Sequence, residues 1–247
     1  MTPYVLTLTG PSMSGKSIVI QTLRNLSQRG EFKDFKPVAF QKYTTREFRD
    51  DEISLINSGR ENELDQKPVI GTKNLDNKIA PEHLHDAKIA AFQKLKCDLA
   101  YEQYGDRYGL RLEDLYTHLK KGETPVVILN DVRTVEDIRV KLGRQCFSLF
   151  IFREVPNYVH FQKIGKIRGY NNEKIKIRFQ KAETIYRIYI ENIHLFDKLL
   201  LNIKTDKLID GGVKKYESLE KLLEQLVRHI CMVMPSFYEK GRGVDYA

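Results

Sequence analysis

Gly10-Pro11-Ser12-Met13-Ser14-Gly15-Lys16-Ser17 fits the phosphate-loop pattern G-x-x-x-x-G-K-[ST]. Residues 2–9 before it read as a short buried strand, and residues 17–26 after it read as a helix. Strand, loop and helix in that order are the context the pattern requires. The chemistry explains the spacing. Gly10 and Gly15 reach backbone angles that residues with a Cβ avoid, so successive N–H groups through Ser12 and Ser14 turn inward. With the N-terminus of the following helix they form a nest for phosphate oxygens. Lys16 is spaced to reach the β- and γ-phosphates, and Ser17 to ligate Mg2+, a hard cation that takes oxygen ligands. A glycine turn that merely opens a helix accounts for the glycines and leaves Lys16 followed by Ser17 as coincidence.

The rest of the composition narrows the class. At 247 residues and 41% hydrophobic content the chain is long enough for one large domain with a lid and an extension. No apolar run approaches a membrane span and no signal-peptide pattern opens the chain, so a cytoplasmic protein with no membrane contact is expected. Cys97, Cys146 and Cys231 are far apart, which argues against a disulfide framework or a zinc site. His83 and His85 are close but have no third ligand candidate. The net charge of +8 predicts attraction to a polyanion without naming one. Between residues 163 and 187, eight basic residues stand against Glu173 and Glu183. On charge alone that is a solvated helix face.

Elements alternate along the chain. Residues 37–42 read as a short strand, and residues 50–82 as a polar excursion with little periodicity. Helical spacing covers 82–96 and 112–120, the latter ended by Gly122. The apolar run 125–129 reads as a central parallel strand, 135–142 as a helix and 147–152 as another buried strand. A helix begins at 157–163, a loop covers 168–172, a long helix 173–193 and a strand 198–202. Residues 218–234 are amphipathic, with Leu219, Leu222, Leu223, Leu226 and Ile230 on one face, and packing back on the core is preferred to dimerisation. The pattern predicts an α/β layered fold with a parallel sheet, whose ligands lie at the carboxyl ends of the strands.

Tyr43-Thr44-Thr45-Arg46-Glu47-Phe48-Arg49 carries two arginines three residues apart, a spacing that can clamp one phosphate. With the loop upstream, the pair resembles the T-T-R-x-x-R segment by which guanylate kinases hold the acceptor's phosphate. The resemblance continues in order over roughly residues 4–205. Gly10-Pro-Ser with Gly15-Lys-Ser resembles that family's loop, with Met13 replacing a glycine. Tyr108-Gly109 resembles its Y-Y-G segment, and 127–131 its strand ending in an aspartate, Asp131. Arg168 and Arg178 resemble its lid arginines, and Leu199-Leu-Leu-Asn202 the strand and asparagine near the donor adenine. The resemblance implies a P-loop kinase fold over 1–205, with an acceptor-binding insertion at about 43–122 and a lid at about 156–182. Residues 206–247 follow as a helical extension. The departures fall on one side. The family reads guanine at positions occupied here by Lys42, Leu99 and Leu110. Leucine has no polar side-chain atom and lysine only donates. Glu102 or Asp98 could replace the missing glutamate. The first aspartate of the family's D-x-D falls on Leu129, and no tyrosine lies between Tyr43 and Tyr101.

The expected function is ATP- and Mg2+-dependent phosphoryl transfer to a phosphate-bearing acceptor, a nucleoside monophosphate with altered base specificity or a phosphorylated sugar. In that reading Lys16 and Ser17 serve the donor, Arg46, Arg49 and Tyr108 hold the acceptor, Asp131 orients it or the metal's water, and Arg168 and Arg178 close with the lid. The alternatives are a binding module that has lost catalysis, which the intact Gly15-Lys16-Ser17 opposes, and an NTPase working on nucleic acid. No basic-aromatic platform supports the latter.

Overall fold

The computed structural model describes residues 4–69, 81–153, 158–202 and 219–233. In chain order the strands are β1 (Val5–Thr9), β2 (Pro37–Ala39), β3 (Lys42–Thr44), β4 (Gln66–Pro68), β5 (Leu99–Gln103), β6 (Asp106–Leu110), β7 (Thr124–Ile128), β8 (Cys146–Arg153) and β9 (Lys198–Asn202). The helices are α1 (Lys16–Ser27), α2 (Asp50–Asn57), α3 (Pro81–Lys94), α4 (Leu112–Lys120), α5 (Val132–Leu142), α6 (Tyr158–Ile167), α7 (Asn172–Glu191) and α8 (Leu219–Arg228).

Five strands form a parallel sheet in the order β2-β7-β1-β8-β9. All residues of β1 and β7 are buried, as the apolar runs predict for strands covered on both faces. Strand alternation divides the core in two. Leu6, Leu8, Val126, Ile128, Leu149 and Ile151 face the side covered by α1 and α8, where Leu23, Leu26, Leu223 and Leu226 meet them. Val5, Val127 and Leu129 face the other side, against Leu115, Val135 and Ile138 of α4 and α5. The amphipathic C-terminal helix therefore packs back on the core, and Arg29 pairs with both Glu220 and Glu224 across its rim.

A second sheet, β4-β3-β6-β5, lies beyond the carboxyl end of β2. The strand expected at 37–42 is divided between the two sheets. Phe40 N–H still bonds to Val126 of the core, while Lys42 N–H bonds to the Asp65 carbonyl of the second sheet. The hairpin β5–β6 escaped the sequence pattern. Its turn is Tyr104-Gly105, both with positive φ (57° and 82°), the geometry of a two-residue turn usually filled by Asn-Gly. The polar excursion contains α2 and β4, while its residues 70–80 lie outside the described part. Asp50, Asp51 and Glu52 occupy the first turn of α2, where carboxylates meet the positive end of the helix. Of the expected lid, α6 and the start of α7 are described and 156–157 are not. Of the expected strand 2–9, residues 2–3 are not. Of the extension, 219–233 are described.

Candidate functional site

The loop 10–15 leaves the carboxyl end of β1, the central strand, at the point where the order of the core strands reverses. Open α/β sheets bind ligands at such points. Two glycines are required sterically. A Cβ on Gly10 would lie 2.7 Å from the Ile151 carbonyl oxygen, and one on Gly15, with φ 98°, would lie 2.2 Å from Asn202 Nδ2. Asn202 Nδ2 donates to the Ser14 carbonyl at 2.7 Å, so the end of β9 braces the loop. The first turn of α1 has no acidic residue, and its positive end is left for an anion. Lys16 Nζ donates to the carbonyls of Gly10 and Pro11, each at 2.7 Å. Its ammonium is folded back over the loop's opening. Burial, followed by the Arg168 guanidinium, brings its pKa down to about 7. Ser17 presents an exposed hydroxyl beside it.

Lys16 opens onto a cleft of about 180 Å3 between the two sheets and the lid. Seven basic side chains line it: Lys16, Lys42, Arg46, Arg49, Arg153, Arg168 and Arg178. Asp65 is the sole carboxylate among its lining residues. Such an excess of positive charge fits a ligand carrying several negative charges.

Arg46 and Arg49 converge on one carboxylate. Arg46 Nη2 lies 2.8 and 2.9 Å from the two Glu52 oxygens, and Arg49 Nη2 bonds to the same Oε1. The Arg49 N–H also donates to Glu52 Oε2 at 2.8 Å. Burial alone would raise the Glu52 carboxyl, but the two guanidiniums outweigh it and pull the carboxyl to about 2. Arg46 Nε further donates to Gln66 Oε1 at 2.8 Å. Tyr108 is buried behind the pair and lines the cleft. The three residues expected to hold the acceptor's phosphate are thus brought together, with Glu52 fixing the arginines.

The lid arginines reach the same cleft. Arg178 lies between the rings of Tyr104 and Tyr170, 4.3 and 4.6 Å from their centroids, and Nη1 donates to Ser12 Oγ at 3.1 Å. This one side chain joins α7, the β5–β6 turn and the phosphate loop. Among the described residues its buried Nε has no hydrogen-bond partner, and neither has the Ser14 hydroxyl. Both atoms face the demand that a phosphate would meet. Arg168 lines the cleft and lies 3.7 Å from Asp51. The loop carrying Gly169 passes so close to Asp50 that a Cβ there would sit 2.3 Å from its carboxylate.

Asp131 lies at the start of α5. It caps α5, where its Oδ2 accepts from the Thr134 N–H at 2.8 Å and the Thr134 hydroxyl at 2.6 Å. Ile128, the last residue of β7, and Asn130, two residues beyond it, line the cleft. An aspartate just before a helix satisfies the helix's unpaired N–H groups, and that local demand takes its carboxylate. Sequence reasoning also passed over Arg153, Tyr104, Tyr170, Gln66 and Asp65. Arg153 ends β8 and donates to the Met13 carbonyl at 2.9 Å. Its place just beyond a predicted parallel strand was the available signal.

The positions that the guanylate kinase resemblance assigns to base reading are closed. Leu99 and Leu110 pair across the hairpin and are buried in the core. Lys42 is 2% exposed, and its Nζ donates to Tyr101 Oη at 3.0 Å and to the Ile128 carbonyl. Burial lowers its pKa to about 8. Glu102 points to solvent and Asp98 caps α4 through the Leu112 N–H, so neither enters the cleft. Among the described residues there is no cluster of three metal-ligating side chains, and no helix is long and apolar enough to cross a membrane. Cys97, Cys146 and Cys231 are free thiols.

No family profile matches the chain, and no curated protein matches it in sequence. Solved structures do match in fold. Guanylate kinase from Anaplasma phagocytophilum aligns over 99% of this chain and 97% of its own, at a TM-score of 0.51 and 12% identity. Shikimate kinase from Acinetobacter baumannii in complex with shikimate aligns at a TM-score of 0.39 and 12% identity, over 93% and 94% of the two chains. A gluconokinase from Sinorhizobium meliloti 1021 aligns at 0.35 and 10%, over 97% and 98%. The parallel five-stranded sheet, its flanking helices and its central phosphate loop give this chain a P-loop kinase fold of the guanylate kinase type.

Proposed function

We propose that the protein is an ATP-dependent phosphotransferase that moves the γ-phosphoryl group onto an organic phosphate. The observation that carries this reading is the meeting of three elements at Arg178: the donor loop at Ser12, the acceptor hairpin at Tyr104 and the lid at Tyr170. A site for nucleoside triphosphate hydrolysis alone needs no second cation pair, yet Arg46 and Arg49 are held beside the loop by a dedicated carboxylate.

In this reading the loop N–H groups and Lys16 hold the donor's phosphates. Lys16 exchanges the Gly10 and Pro11 carbonyls for phosphate oxygens. Mg2+ held at the Ser17 hydroxyl would supply neutralisation of the donor's negative charge. Arg46, Arg49 and Tyr108 hold the acceptor's phosphate in line. One of its oxygens bonds to the γ-phosphorus while the bond from that phosphorus to the β,γ-bridging oxygen breaks. ADP leaves with the electron pair, and no proton has to be removed. Arg168 and Arg178 stabilise the transferring group and exclude water, so catalysis is positioning and charge neutralisation. The resemblance implies a nucleoside monophosphate acceptor, and the residues at Lys42, Leu99 and Leu110 imply an altered base specificity.

The test is ADP formation from Mg-ATP with a panel of nucleoside monophosphates and sugar phosphates. Acceptor-dependent ADP formation is expected, with Lys16→Ala slowing it by about 100-fold or more. Transfer that survives Lys16→Ala would refute the assignment.

A further inference from the structure

An aromatic surface beside the acceptor arginines is already covered. The Tyr101 and Tyr108 rings stack on one another, 5.3 Å apart and 17° from parallel. Tyr101 therefore covers a face of Tyr108 that a planar ligand could stack on. Lys42 seals the edge of the pair. Its ammonium lies 5.6 and 5.3 Å from the two ring centroids, and its bonds to Tyr101 and Ile128 fix it there. Behind this plug the Leu99–Leu110 pair belongs to the continuous core.

Other side chains that line the cleft are polar. Asp65 lines the cleft, and among the described residues its carboxylate accepts no side-chain hydrogen bond. Its charge acts on Lys16, Lys42, Arg49 and Tyr101. The Gln103 and Asn130 side-chain amides also line the cleft. A carboxylate and two amides lining one cleft can meet a ligand that offers several hydroxyls.

We propose that the acceptor is a small polyhydroxylated phosphate ester, a sugar phosphate and not a nucleotide. Asp65, Gln103 and Asn130 read its hydroxyls, and the Lys42–Tyr101 plug excludes a base. The proposal rests on the phosphotransferase reading above and changes only what the acceptor carries beyond its phosphate.

The test is calorimetric titration of the full chain, its donor site saturated with a non-hydrolysable Mg-ATP analogue. The probes are ribose 5-phosphate, inorganic phosphate, and GMP, AMP, CMP and UMP. Ribose 5-phosphate is expected to bind about tenfold or more tighter than any of the four nucleotides. A nucleotide that binds as tightly as ribose 5-phosphate overturns the proposal. Opening the plug with Lys42→Ser/Tyr101→Ala should shift the preference toward nucleotides by about tenfold. Tyr101→Ala alone keeps Lys42 and serves if the pair does not fold. An unshifted preference in a folded variant overturns the role of the plug. Asp65→Asn should weaken ribose 5-phosphate by about tenfold and leave inorganic phosphate unaffected. Equal weakening of both would reduce Asp65 to a general electrostatic effect and overturn its reading role. If neither ribose 5-phosphate nor any nucleotide binds, or Arg46→Ala leaves binding intact, the phosphate clamp itself fails and the proposal with it.

Discussion

Gly15→Ala perturbs the site at the point where its geometry is most exacting. Gly15 has φ 98°, and a Cβ there would lie 2.2 Å from Asn202 Nδ2. Holding an alanine in a left-handed conformation costs roughly 1–2 kcal/mol. The clash also displaces Asn202 from the Ser14 carbonyl, and a hydrogen bond of that kind is worth about 0.5–1.5 kcal/mol net. Together these come to roughly 1.5–3.5 kcal/mol, or about 10- to 300-fold in Mg-ATP affinity if the loop must recover its present shape to bind. The assay is calorimetric titration of Mg-ATP into the wild type, Gly15→Ala, Asn202→Ala and the double variant, with circular dichroism to confirm folding. Once Gly15→Ala has broken the Asn202 contact, removing Asn202 costs nothing more. The double variant should therefore bind as weakly as Gly15→Ala, with Asn202→Ala alone between them and the wild type. Gly15→Ala binding within about threefold of wild type, or strictly additive losses, would refute the reasoning.

Four further outcomes follow from the charged groups. Lys16 titrates near 7 in the ligand-free protein, and bound triphosphate favours its ammonium, so Mg-ATP binding at pH 8 should take up close to one proton. Titrations in buffers of different ionisation enthalpy should show that uptake in the wild type, and its persistence in Lys16→Met would contradict the assignment. Glu52, held at about 2 against an ordinary 4.5, contributes on the order of 3 kcal/mol that is present above pH 4.5 and lost as the pH falls toward 2. Glu52→Gln should lower Tm by roughly 6–12 °C at pH 7, and a shift under about 2 °C would speak against the buried pair. Lys42, depressed to about 8, binds fewer protons folded than unfolded between pH 8 and 10.5, so its burial costs most at low pH. Lys42→Met should gain stability relative to wild type at pH 6 and lose that advantage by pH 10, as thermal melts at the two values would reveal. Asp131→Ala should cost about 1 kcal/mol as a lost helix cap and leave kcat within about threefold, whereas a loss of 100-fold or more would restore Asp131 to the chemistry.

The loop and the core sheet were legible in the sequence because each depends on local or strongly patterned signals. Glycines at 10 and 15 with Lys16 fix a loop within eight residues, and the apolar runs at β7 and β8 fix central strands. The hairpin β5–β6 was not legible, since Tyr104 takes a left-handed turn position that asparagine normally marks. The helix α2 was hidden because its first turn looks like a run of acids until Glu52 is seen holding Arg46 and Arg49. The Lys42–Tyr101 plug joins residues 59 positions apart through two strands of the second sheet. Sequence alone marked Lys42 as unfit to read guanine but had no means of placing its ammonium against a tyrosine. At Asp131 a helix cap and the family role draw on one carboxylate, and the geometry shows its Oδ2 holding the cap.

The most direct test is phosphorus NMR of the wild-type protein with Mg-ATP and the sugar phosphates and nucleoside monophosphates together. The account predicts that ADP accumulates in step with a new diphosphate ester, formed from a sugar phosphate and abolished by Lys16→Ala and by Arg46→Ala. Inorganic phosphate accumulating in place of any diphosphate ester, at a rate independent of the acceptors, would contradict it.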